Sequence, residues 1–248
     1  MNTDHPFFSL RLNSAPTGSQ FGQMLKSTTM NQKREDLIYR EVMDGNVPDF
    51  MKSFVEVKVS PTVSVYVMPD YVSIGSNDDY LRCPINCLTA QKIADEIGLA
   101  LPTRKIVNDT WAAGTVKLIP SPKGPPYDSS MLSAEAIINF NIRVEIQRKG
   151  RFGLIVGQSK DIICSNEIAQ HPGHVIIYGW IKPTGEPIQG VQWIHESTYS
   201  DYSQHIRYCS DTITVNGQYV NYYDALVDPT LYKLLSDEGM IKQPKYKY

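Results

Sequence analysis

Long apolar runs are missing from this chain. Nowhere does it approach the roughly 18 consecutive apolar residues of a membrane-spanning helix, so no membrane span and no membrane partner are expected. Charge of one sign is missing too. The 24 Lys and Arg are balanced by 26 Asp and Glu, for a formal net charge of -2. Nucleic-acid binders concentrate positive charge, and the nearest approach is Lys242 to Tyr248, read as a solvated end. No nucleic-acid partner is expected. Cysteine is scarce: Cys83, Cys87, Cys164 and Cys209 in 248 residues are too few for a disulfide scaffold. No second close Cys pair completes a zinc site with Cys83 and Cys87. Gly153 and Gly157 make neither a dinucleotide fingerprint nor a phosphate loop. No cofactor and no metal are therefore assigned. Met1 to Gly22 mixes Asp4, His5 and Arg11 with polar residues and lacks the apolar stretch of a secretory signal. As it stands the chain is expected in the cytoplasm, or outside the cell if a leader has been removed.

What is present is an ordinary globular composition, 42% hydrophobic, at a length that suits one domain. Residues 1–30 read as an irregular polar arm, and 31–248 as a single α+β domain. The Pro-rich loop 119–130 is the candidate internal boundary. Lys33 to Met43 has helical spacing and ends at Gly45-Asn46. Residues 54–60 and 62–68 alternate valine with polar residues, as half-buried strands do. Thr89 reads as the N-cap of one helix, Pro102-Thr103 starts another, and Ser130 reads as the cap of a longer helix over 131–148. His174 to Trp180, the turn Pro183-Thr184-Gly185 and Pro187 to Ile194 make a hairpin. Tyr222 to Val227 and Leu231 to Leu235 read as short helices. The expected architecture is a helical N-terminal half with a β-hairpin, packed on a mainly antiparallel C-terminal sheet.

Four of the five histidines fall between His171 and His205. The stretch His195 to Arg207 carries two histidines, two acids, two tyrosines, hydroxyls and an arginine, without Gly or Pro. Titratable groups concentrated in a loop on a β scaffold suit proton transfer; the competing reading is a polar hairpin end whose tyrosines join the core. On the functional reading His195, Asp201, Tyr202 and His205 are candidate catalytic residues: His195 as acid or base, Asp201 orienting an imidazole, Tyr202 donating a proton. Arg207, Lys160, Asp161, Tyr178, Trp180, Gln189 and Trp193 are candidate substrate-binding residues, with Arg207 holding an anion and Trp180 or Trp193 as an aromatic wall. His195, Tyr202 and Arg207 are expected in one pocket. His171-Pro-Gly-His174 turns where a helical metalloprotease pair would not.

Two resemblances add to this. Cys87 near a helix start, followed later by His174 at the head of a strand, resembles papain-like cell-wall peptidases of the NlpC/P60 type, which implies a thiol nucleophile. The flanks of Cys87 lack the small residues and Trp or Tyr usual there. Nearly end to end, the chain is similar to a family of functionally uncharacterised bacterial proteins, many apparently secreted. Thr17-Gly18-Ser19, Gly45-Asn46-Val47-Pro48-Asp49-Phe50, Leu101-Pro102-Thr103-Arg104-Lys105, Lys160-Asp161, Tyr178-Gly179-Trp180, Gly185-Glu186-Pro187-Ile188-Gln189, His195, Asp201-Tyr202-Ser203 and Arg207 carry the likeness. It implies an outline and no activity. Gln158, Ile181 and Gln204 stand where that pattern implies histidine. The leading expectation is a cofactor-independent hydrolase or lyase acting on a cell-wall or similar polymer, or on a small-molecule substrate, of open oligomeric state. The alternatives are a non-catalytic binding or structural protein and a Cys87/His174 amidase.

Overall fold

The computed structural model describes residues 8–28 and 32–248, and the fold is α+β. Of the arm read over 1–30, residues 1–7, 29 and 30 lie outside the described residues. The helices are α1 (Gly18–Lys26), α2 (Gln32–Met43), α3 (Asp49–Lys52), α4 (Cys87–Glu96), α5 (Arg104–Ala113), α6 (Ala134–Arg148), α7 (Glu167–Gln170), α8 (Tyr222–Val227) and α9 (Tyr232–Leu235). The strands are β1 (Val55–Ser60), β2 (Val63–Val67), β3 (Ser73–Gly75), β4 (Tyr80–Arg82), β5 (Leu99–Ala100), β6 (Val116–Lys117), β7 (Ile155–Val156), β8 (Lys160–Ile162), β9 (Ile177–Ile181), β10 (Pro187–Gln192), β11 (Gln204–His205), β12 (Cys209–Ser210), β13 (Thr212–Val215) and β14 (Gln218–Asn221).

Two sheets frame the molecule. In the first, the order is β14-β13-β2-β12-β5, and β1 lies on the other edge of β2, all antiparallel. The hairpin from the first half thus shares a sheet with strands from the end of the chain. In the second, the order is β10-β9-β8-β11, antiparallel except for the parallel pair β8–β11. β6 and β7 also pair in parallel, on either side of the loop 119–130, and the apolar core draws residues from both sides of that loop. Val57, Val63, Val65 and Val67 supply its β1–β2 part, as alternation requires.

Four expectations need correction. The arm is not irregular over its second half: Thr17 and Gln20 form a reciprocal capping box, and α1 buries Phe21 and Leu25. α4 begins before Thr89, because Asn86 is the N-cap and accepts the Thr89 amide at 2.8 Å. α6 is capped by Ser133 rather than Ser130, which lies in a 3-10 turn over Ser129–Leu132. The end of the chain is not simply solvated. Tyr246 is buried, and its hydroxyl accepts the Ile176 amide at 3.0 Å and donates to the Ile163 carbonyl at 3.0 Å. Among the described residues no helix is long and apolar enough to cross a membrane.

Candidate functional site

The chain between β10 and β11 carries His195 to Ser203 and is fixed by its backbone. The Val175 amide donates to the His195 carbonyl at 3.0 Å, Ser197 to Gly173 at 2.8 Å, and Tyr202 to Met131 at 3.0 Å. A turn from Glu196 to Tyr199 stacks the His195 and Tyr199 rings at 3.8 Å and 11°. Asp201 closes the next turn, accepting the Ser203 amide at 2.9 Å and hydroxyl at 2.7 Å on Oδ1. Its Oδ2 accepts Lys160 Nζ at 2.7 Å and the Tyr199 hydroxyl at 3.4 Å.

These groups border an open cleft of about 810 Å³. Lys160, Asp201, His195, Tyr199 and Tyr202 line it, Trp180 and Gln189 stand along β9 and β10, and the loop 119–130 overhangs it with Lys123 and Tyr127. Tyr202 Oη accepts the Lys123 amide at 2.5 Å, so this phenol ties the loop to the cleft. Burial and the neighbouring Lys160 charge hold the His195 imidazole below its ordinary value, against the pull of Asp201. Lys160 and its hydrogen bonds overcome burial to hold Asp201 below the usual carboxylate range. Burial, then Asp201, push the Tyr199 phenol up, so it keeps its proton at neutral pH.

The sequence candidates divide between two sides of the second sheet. Lys160 pairs with Gly179 and Gln204, whereas Asp161 pairs with Tyr178 and His205. Adjacent strand residues face opposite sides, so Lys160 reaches the cleft and Asp161, Tyr178 and His205 face away. Arg207 follows His205 by two residues and shares its side. The Asp161 carboxylate accepts the Tyr71 hydroxyl at 2.8 Å, and burial raises it to about 7 despite the Arg207 charge. Arg207 donates to the Met68 carbonyl at 2.7 Å and the Ile155 carbonyl at 2.5 Å, with its guanidinium 4.8 Å from the Tyr71 ring centre. Tyr178 donates to Asn108 on α5 at 2.8 Å. His205 is fully buried, lies 5.2 Å from the Phe140 ring and bonds Ser159 Oγ at 2.7 Å through Nδ1. Burial lowers it to about 4, so at neutral pH it is an uncharged core histidine. The expected pocket of His195, Tyr202 and Arg207 therefore forms without Arg207. Trp193 stacks on His171 at 4.2 Å and is not a wall of the cleft.

Trp180 reaches the cleft by breaking the alternation. Gly179 (φ 140) and Trp180 (φ 54) both have positive φ within β9. A Cβ on residue 179 would stand 2.8 Å from the Ser159 carbonyl oxygen, which requires glycine there. A buried tryptophan in the left-handed region costs of order 1–3 kcal/mol, and such strain concentrates at functional sites.

Tyr199, Lys123 and Tyr127 are cleft residues that sequence reasoning did not assign. For Tyr199 the four-residue spacing from His195 was the available signal; for the other two it was a long Pro-rich loop inside a domain. The three positions where histidine was implied are buried. Gln158 bonds Asp70 at 2.8 Å, Gln204 bonds the Tyr199 carbonyl at 2.7 Å, and Ile181 joins the core.

The surroundings of Cys87 lend the thiol reading no support. Cys87 is buried, its Sγ donates to the Ser197 carbonyl at 3.4 Å, and no imidazole bonds it. Burial pushes the thiol up, against thiolate formation. All four cysteines are free and buried. A thiol-reactive disulfide reagent should label the native chain only as fast as it unfolds; rapid labelling of one native thiol would contradict this burial. Among the described residues no three His, Cys, Asp or Glu converge as metal ligands would. No family model, no curated protein and no solved structure matches the chain.

Proposed function

We propose that this chain is an acid–base enzyme of the hydrolase or lyase type, acting on a polymer in the cleft beside β9. One observation carries the reading: a half-buried His195, stacked on Tyr199, shares a cleft with a buried Lys160–Asp201 ion pair 2.7 Å apart. A lowered imidazole is neutral at pH 7 and takes protons. A raised phenol is still protonated at pH 7 and so has a proton to donate. Lys160 has three N–H donors, of which one reaches Asp201, so its ammonium also faces developing negative charge. Asp201 touches Lys160 and Tyr199 and acts as a positioning residue.

The lyase branch fits better than glycoside hydrolysis. Hydrolysis with a pair of carboxyls needs one whose pKa is raised, so that it can donate a proton. Asp201 and Asp128 are the carboxyls lining this cleft. Hydrogen bonds with Ser130 lower Asp128, and Lys160 with its bonds lowers Asp201. Elimination instead needs a neutral base and a phenol donor.

The test is turnover of polygalacturonate, hyaluronan and peptidoglycan, followed by new unsaturated or reducing ends across pH. Activity should depend on deprotonated His195. It is therefore full above the folded-state value and lost as pH falls through it, with kcat/KM inflecting below the ordinary histidine value of about 6.5. An inflection above that value removes His195 as the base, and silence on all three polymers favours a binding cleft.

A further inference from the structure

We propose that the outer face of α6 is the contact between two copies of this chain, packed antiparallel about a two-fold axis at Ile142. The contact stands apart from the cleft and needs none of its chemistry. α6 is apolar on two sides. Ile137, Phe140 and Val144 are buried and belong to the core. Ile138, Ile142 and Ile146, spaced by four, form a second stripe, in which Ile142 is 51% and Ile146 66% exposed. A surface helix ordinarily turns polar residues outward, and one that is apolar all round is covered all round. β-branched residues also lower helix propensity, so the helix itself gains nothing from three exposed isoleucines.

The stripe borders a groove of about 380 Å³ between α1 and α6, lined also by Gly18, Gly22 and Leu81. Gly22 lies in the middle of α1, where glycine is disfavoured. The single chain does not require it there. An added Cβ would stand 3.4 Å from the Ile138 side chain and 3.9 Å from that of Leu81, which is ordinary contact. What the glycine does is leave the groove open beside the isoleucine stripe, where a side chain from a facing helix can enter.

Charge says what the facing helix is. Glu135 in the first turn of α6 and Lys149 at its C-cap each lie seven residues, about two turns, from Ile142. Both are exposed, and neither side chain is paired with another described residue. Reversing one α6 upon another sets Ile142 on Ile142, Ile138 near Ile146, and Glu135 near Lys149 at both ends of the contact. A parallel pair would instead oppose Glu135 to Glu135 and Lys149 to Lys149. A stripe complementary to its own reverse is what a two-fold contact between identical chains requires. An unrelated partner has no need of that symmetry.

Sedimentation velocity on the full chain, from about 1 to 100 μM, tests the contact. The chain, 28.0 kDa alone, should appear at twice that mass, increasingly so as concentration rises. Ile142→Asp sits at the centre of the contact and is exposed in the single chain. It should raise the dimer Kd at least about 100-fold and leave the circular-dichroism spectrum unchanged. Gly22→Ala narrows the groove and should raise Kd at least about fivefold without lowering the Tm of the monomer. Glu135→Lys and Lys149→Glu should each raise Kd about three- to tenfold, since exposed pairs are individually weak and the two-fold axis makes two of them. The two reversals combined should restore it. A chain that stays monomeric throughout, or a dimer indifferent to Ile142→Asp or to Gly22→Ala, overturns the interface. Charge reversals that accumulate rather than cancel overturn its antiparallel order.

Discussion

Arg82→Met destabilises the chain by about 3–5 kcal/mol, the usual cost of removing one partner from a buried ion pair. In a chain of this length that is a fall in Tm of roughly 6–20 °C. Arg82 and Asp70 are both 0% exposed, and their closest approach is 2.6 Å. The guanidinium also reaches Glu145 on α6 at 2.7 Å and the Tyr80 ring at 5.2 Å. Asp70 in turn accepts the Tyr71 amide and Gln158 Nε2, each at 2.8 Å. Losing the cation leaves Asp70 charged in a dry interior, with two neutral donors in place of its ionic partner. Asp70→Asn combined with Arg82→Met removes both charges and should cost less than the sum of the single changes, because the pair is coupled. Urea unfolding of the four chains measures this. A loss for Arg82→Met under about 1 kcal/mol would mean that water enters and solvates Asp70.

This network was not visible in the sequence, where Asp70, Arg82, Glu145 and Gln158 share no spacing. Local elements were far more legible. The valines of β1 and β2 have the period of two that a strand with one face in the core requires, and Pro102-Thr103 marks the start of α5, where Thr103 proves to be the cap. Even α1 was legible in principle, since Thr17 and Gln20 have the capping-box spacing, but the polar composition of the first 30 residues hid it. The candidate site was legible by region and not by side chain. The stretch from His195 does hold cleft residues, yet Lys160 and Asp161 are neighbours in sequence and part company because a strand alternates. Trp180 escapes that rule through a positive φ that its sequence does not announce. Arg207 looked like an anion clamp because an arginine among hydroxyls usually is one. Its partners are backbone carbonyls from Met68 and Ile155, far away in the chain.

His195→Ala should lower kcat on a cleaved polymer by at least about 100-fold, since a positioned acid–base group contributes 10²–10⁴-fold. Stability should hardly change. The ring is only half-buried, and its principal contact is the Tyr199 face, so the loss should be about 1 kcal/mol or less. His205 supplies the contrast. It is wholly buried among Phe140, Tyr71 and Ser159, and its replacement by alanine should empty part of the core and lower Tm clearly, whatever happens to turnover. Tyr199→Phe completes the set. It keeps the stack on His195 and removes the phenol proton, so kcat should fall at every pH while the acid inflection stays in place. The measurements are Tm and the pH dependence of kcat for each variant. If His195→Ala lowered Tm as much as His205→Ala does, His195 would be part of the framework rather than the reacting base. If it left kcat within a few-fold of the parent chain, the proton would have to go elsewhere in the cleft, with Lys160 the next group in line.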